Sequence, residues 1–191
     1  MNEKPPLGAR EGLTALLRCV ARTVVLLARR RVHQPGRRLG QELAFADGTT
    51  TAVYRETVVA RPPPEEPCLL VVSFRLRGVK GERLHALFRA ESLLNTMLFV
   101  GFFGFVSKLW CRHDQRGLYR GVYEWDGPAR AEAYVRALWW ALIVVSARDS
   151  IHYAVVPGVR RDDVLDDAEA LAAAGGAGEW WRLTAVAPAR A

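Results

Sequence analysis

Along residues 68 to 158 the hydrophobic period changes repeatedly between two and 3.6. In CLLVVSFRLR (68–77), Leu70, Val72, Phe74 and Leu76 fall on one face and Ser73, Arg75 and Arg77 on the other, which is the alternation of a strand. From Glu82 to Leu98 the spacing of Leu84, Leu87, Phe88, Leu94 and Leu98 is helical, and Gly101 and Gly104 end it. Phe105 to His113 and Leu118 to Trp125 read as the second and third strands. A second helix opens with Asp126 as cap and Pro128 in its first turn, and Ser150 to Val156 is the last strand, closed by Pro157-Gly158. Strand, helix, strand, strand, helix, strand predicts an α+β domain with a ferredoxin-like antiparallel sheet and two helices.

Two flanking segments differ from this domain. In residues 1–61, Leu13, Leu16, Leu17, Val20, Val24 and Leu27 recur at helical spacing from Glu11 to Val32, with Arg18, Arg22 and Arg29 opposite them. This basic amphipathic helix stops at Pro35-Gly36, and ELAFADGTTTAVYRETVV follows as a small hairpin turning at Asp47-Gly48. ARPPPEEP (60–67) is a stiff linker. In residues 159–191 a short helix from Asp162 to Ala173 and the segment EWWRLTAV form a tail, with Trp180 and Trp181 expected to pack on the fold.

The stretch CRHDQRGLYRGVYEW (111–125) tests a register. A type I turn over Asp114 to Gly117 with a glycine bulge pairs Asp114 with Leu118 and sets Lys108 opposite Glu124. It gathers Leu109, Cys111, His113, Tyr119, Gly121, Tyr123 and Trp125 on one face and Lys108, Arg112, Arg120 and Glu124 on the other, whereas a two-residue turn would put Lys108 opposite Tyr123. The bulged register separates polar from apolar positions and is the one predicted. Its aromatic face either fills the core between sheet and helices or walls a ligand cavity with His113 at the rim.

Charge sharpens the picture of the first segment. Residues 1–61 hold 10 Arg and 1 Lys against 5 acids, most of the chain's net charge of +7. Arg18, Arg22, Arg29, Arg30 and Arg31 could therefore hold the helix to an anionic membrane surface, each contributing about 1 kcal/mol; alternatively its apolar stripe packs on the sheet domain. A nucleic-acid partner is disfavoured, because no base-stacking aromatics accompany the helix. Cys19, Cys68 and Cys111 lie far apart, with no Cys-x-x-Cys and no metal-site spacing. With no signal-peptide pattern at the start, free thiols and a cytoplasmic location are expected, and neither a metal nor another cofactor is implied.

With those elements in place, FVSKLW, GLYRGVYEWDGPARAEAYVRAL and SIHYAVVPG resemble the dimeric α+β barrel superfamily, within it the small monooxygenases similar to the antibiotic-biosynthesis monooxygenases. The resemblance covers roughly residues 68 to 158 and implies a homodimer packed sheet against sheet, with a pocket between sheet and helices in each protomer. It implies a small-molecule enzyme acting without a tightly bound cofactor on an aromatic or polyketide-like compound, or a non-catalytic ligand-binding or scaffold protein of the same fold. Haem-degrading members carry an Asn on the first strand, and CLLVVSFRLR has none. The candidate ligand-binding residues are His113, Tyr119, Tyr123 and Trp125 on the hairpin, and His85, Arg89 and Asn95 on the first core helix. The third histidine of the domain, His152, is a further candidate base. The opposite sheet face, with Ser73, Arg75, Lys108, Trp110 and Glu124, is expected to meet the partner.

Overall fold

The computed structural model describes residues 5–77, 95–167, 169 and 179–189. Most of the predicted first core helix, including His85 and Arg89, lies outside the described residues. Its end is a 3-10 turn at Thr96–Leu98.

The elements are α1 (Ala9–Ala28), β1 (Val32–His33), β2 (Glu42–Phe45), β3 (Thr50–Val59), β4 (Pro67–Arg75), β5 (Phe105–Cys111), β6 (Leu118–Asp126), α2 (Pro128–Val145), β7 (His152–Pro157), α3 (Arg161–Asp166) and β8 (Leu183–Ala187). The fold is α+β. Its strands pair antiparallel in the order β7-β4-β6-β5-β3-β2-β8, with β1 added on β3. The hairpin of the first segment thus extends the sheet of the second: β3 pairs along β5, from Val53 opposite Cys111 to Val58 opposite Ser107.

Both faces of the curled sheet are covered. On one, Cys68, Leu70, Val72, Tyr123 and Trp125 meet Tyr134, Val135, Leu138 and Leu142 of α2. Those α2 positions recur at three- and four-residue spacing, so one stripe of the helix is buried. On the other face, Leu69, Val71, Leu109, Val122 and Ala154 meet Leu43 and Phe45 of β2, Leu165 of α3, Trp181 and Leu183. The face on which a second copy was expected is therefore occupied by the chain's own β2, α3 and β8. Trp181 finds the packing place predicted for the tail, and no helix among the described residues is long and apolar enough to cross a membrane.

The β5–β6 register departs from the expectation. At the turn, Gly117 adopts φ +74° and the Asp114 N–H donates to the Leu118 carbonyl at 2.9 Å, as predicted. Along the strands, however, Lys108 is opposite Tyr123 and Trp110 opposite Gly121. Relative to the predicted pairing the two strands are offset by one residue, so Leu109 and Cys111 go to the β8 side and Lys108 and Trp110 to the helix side. Separating polar from apolar positions assumed that one face would stay outside the chain's own core. With both faces buried, it is shape that selects: the long Lys108 and Trp110 side chains enter the wide space under the helices.

Two smaller corrections concern ends. Helix α1 stops at Ala28, because Arg30 takes φ +52° and Val32–His33 turns back to pair with Val58–Val59. Helix α2 is capped by Gly127. Asp126 instead accepts hydrogen bonds from the Glu65 and Glu66 N–H groups, from Arg61 at 2.5 Å and from Arg130 at 2.9 Å, which anchors the proline linker. Burial alone would raise its carboxyl, but these partners hold it below the usual range.

Candidate functional site

Under α2 the helix-side face of the sheet does not close completely, and a cavity of about 370 Å³ remains. Strand alternation sets its lining: Val72 and Phe74 from β4, Tyr119, Gly121 and Tyr123 from β6, and Lys108 and Trp110 from β5. Tyr134, Leu138 and Leu142 of α2 form the roof, and Asn95, Leu98 and Phe99 close one end. Val144 and Val145 also line it and are exposed, which places the mouth at the end of α2.

The lining is aromatic and internally supported. Phe99 meets Trp110 edge-on with ring centroids 5.2 Å apart and Tyr123 at 6.3 Å. Phe74 stacks on Tyr119 at 5.9 Å. The Trp110 indole N–H donates to the Thr57 hydroxyl at 3.0 Å, and the Tyr134 hydroxyl donates to that of Tyr123 at 3.2 Å. Burial, countered in part by the Tyr134 hydrogen bond, pushes the Tyr123 phenol well up; burial and the neighbouring Tyr123 do the same to Tyr134, so both are proton donors at neutral pH.

Lys108 is the ionisable amine in this lining. Its Nζ stands 3.2 Å from the ring centre of Trp110, 4.6 Å from Phe99 and 4.7 Å from Tyr123, and the residue is only 7% exposed. Among the described residues no carboxylate lines the cavity. Burial first, and then the nearby Arg55 guanidinium, lying over Trp110 at 3.8 Å, hold the Lys108 ammonium well below its usual range.

Of the sequence-derived candidates, Tyr119, Tyr123 and Asn95 line the cavity. Trp125 does not: it is fully buried beneath, against Tyr134 at 4.9 Å and Phe105 at 5.6 Å. His113 is half-buried at the turn, 5.6 Å from the Tyr119 ring and outside the lining. His152 is exposed on the edge strand beside Trp180. His85 and Arg89 lie outside the described residues. Lys108, Trp110, Phe99 and Tyr134 were missed, Lys108 and Trp110 because the predicted register turned them to the other face. The turn residues carried no signal for this, since the turn formed as predicted and the offset lies along the strands.

Two polar clusters serve the other face. Arg120, with its side chain fully buried, donates to Asp114 at 2.6 Å and Asp47 at 2.8 Å, tying the two hairpin turns together. Arg161 of α3 donates to the buried Glu56 at 2.6 Å. On α1, Gly12, Cys19 and Thr23 are buried, while Leu13, Leu17, Val24 and Leu27 stay exposed, the first two near 60%. Arg18, Arg29, Arg30 and Arg31 are exposed, and Arg22 lies 3.6 Å over the ring of Phe103, itself 74% exposed. Compared with protein-family models, with curated proteins and with solved structures, the chain matches none.

Proposed function

We propose that the protein binds a small aromatic or polyketide-like compound in the cavity beneath α2, on a ferredoxin-like unit of the dimeric α+β barrel kind. The strand order β7-β4-β6-β5 within residues 67–157 supports the ferredoxin-like part. The volume, an almost wholly apolar wall and a few convergent polar groups support the ligand, since these are the features of small-molecule sites. The observation that carries the reading is the ring of Phe99, Trp110, Tyr119 and Tyr123 around an unfilled space. A sheet-to-sheet homodimer of the barrel kind would require β2, α3 and β8 to leave the face they cover.

The activity proposed for such a site is monooxygenase-like chemistry without a tightly bound cofactor, in which the bound compound itself supplies the electrons. Fold alone does not choose between this and simple binding. Titration with naphthol, followed by tryptophan fluorescence, is expected to give saturable binding that Leu138→Trp abolishes by filling the cavity; binding unchanged in that variant would remove the cavity from the proposal. Oxygen uptake with an anthrone-type phenol separates the two forms. Uptake that depends on the open cavity supports the enzyme, and saturable binding without uptake leaves the ligand-binding module.

A second reading, compatible with the first, is docking of α1 on an anionic membrane. It is favoured by the exposed apolar stripe Leu13, Leu17, Val24 and Leu27, which the packing of α1 leaves unpartnered, and by the exposed arginines that follow it.

A further inference from the structure

We propose that Lys108 is a nucleophilic amine that condenses with the carbonyl group of an aromatic aldehyde or ketone held in the cavity, forming an imine. The inference rests on the cavity being a ligand site and names the class of ligand it takes. Three observations carry it. The amine is presented from the middle of β5, a strand paired on both sides, so its stem is fixed. It ends among the rings of Phe99, Trp110 and Tyr123 at the wall of a space large enough for a two-ring compound. No carboxylate among the described residues pairs with it or lines that space, so nothing there recovers the cost of keeping the ammonium form dry.

The ring faces oppose this, because each can stabilise an ammonium. Desolvation of the charge is the larger effect, and the Arg55 guanidinium repels it further. The unprotonated amine, with its lone pair free, is therefore the form the site favours, which is how buried lysines are activated toward carbonyl compounds.

The chemistry balances without an oxidant or reductant. The Nζ lone pair forms a C–N bond to the carbonyl carbon as the C=O π pair moves to oxygen, and proton transfer from nitrogen to that oxygen gives a carbinolamine. Protonation of the hydroxyl and departure of water then form the iminium C=N–H⁺, whose N–H proton returns to the group that supplied the first one, so that amine and carbonyl become imine and water. Tyr123, whose hydroxyl accepts from Tyr134, keeps its own hydrogen to donate in a hydrogen bond to the carbonyl oxygen.

Lys4, Lys80 and Lys108 are the lysines of the chain, which makes the test direct. The full-length protein is treated with naphthaldehyde and cyanoborohydride at pH 7, and peptide mass mapping locates the naphthylmethyl group. Labelling at Lys108 should exceed that at Lys4 or Lys80 by about tenfold or more, since an amine held below its usual range is unprotonated in a larger fraction at pH 7. Excess methylnaphthalene, which fills the cavity but has no carbonyl, should protect Lys108 alone. Lys108→Met should lose the label while keeping a cooperative melt. If methylnaphthalene binds but the label spreads over Lys4, Lys80 and the N-terminus and spares Lys108, the imine proposal fails and the cavity reading stands. If methylnaphthalene does not bind, the cavity reading fails and takes the imine proposal with it.

Discussion

A buried amine and a buried guanidinium behave differently in this protein because, among the described residues, only one of them has acids to meet. Arg120 reaches Asp114 and Asp47, and although burial alone would raise Asp47, the Thr49 hydroxyl and N–H, with Arg120 and Arg116, hold it low. Lys108 faces Tyr123, Phe99 and Trp110, with the Arg55 guanidinium and the Cys111 thiol as its charged or titratable neighbours. Burial pushes that thiol up to about 12, so it supplies no counter-charge at neutral pH. The folded-state value of Lys108 is thus depressed. Below that value both folded and unfolded chains carry the proton and folding bears the full desolvation cost; as pH rises toward the usual 10.5, the unfolded chain alone stays charged and stability climbs. Lys108→Met, which keeps the stem and removes the charge, should raise stability at pH 7 by about 1 kcal/mol or more. The gain should shrink as pH approaches 10. Denaturant melts of both proteins across that range check it, and a variant less stable than wild type at pH 7 would show that the rings hold a fully compensated ammonium.

Among the elements, helix α1 and the turn after Leu98 are joined by backbone contact. A Cβ on Gly101 would lie 1.9 Å from the Cys19 carbonyl oxygen, so only glycine lets the two segments touch. Gly101→Ala should force them apart and cost about 1–3 kcal/mol or more in denaturant unfolding; an unchanged midpoint would mean α1 is not seated there. This contact also marks the limit of what the sequence makes legible. Strands β4 to β7, α2 and the Asp47-Gly48 hairpin follow from local periodicity and turn residues, which are visible in a single chain. Pairing of β3 with β5, of β8 with β2, and the seat of α1 on Gly12, Cys19 and Thr23 are long-range and leave no period in the sequence. The β5 register failed for the same reason. Its choice depended on a second buried face built by residues far away in the chain, and with it went the assignment of Lys108. Tyr119 and Tyr123 were found because their strand has the same inner face in either register.

At the scale of the whole molecule, charge and exposed apolar area coincide on one element. Helix α1 turns small residues to the fold and leaves Leu13, Leu17, Val24 and Leu27 outside, which a surface helix packed by its apolar stripe would bury. Residues 1–61 carry a net charge of +6 of the chain's +7, and Arg18, Arg29, Arg30 and Arg31 are exposed. If these features hold the protein to an anionic bilayer, the attraction is largely electrostatic and must weaken as salt shortens the Debye length from about 10 Å at 0.1 M toward 3 Å at 1 M. Truncating α1 would also remove its packing on the turn at Gly101, so the discriminating variant changes Arg18, Arg29, Arg30 and Arg31 to Gln and leaves the buried face intact. At about 1 kcal/mol for each arginine near the surface, partitioning onto phosphatidylserine vesicles should fall by about a thousandfold. Co-sedimentation reads it: wild type pellets at low salt and is released at high salt, and the glutamine variant stays in solution with an unchanged melt. Wild type remaining in the supernatant at low salt would end the membrane reading.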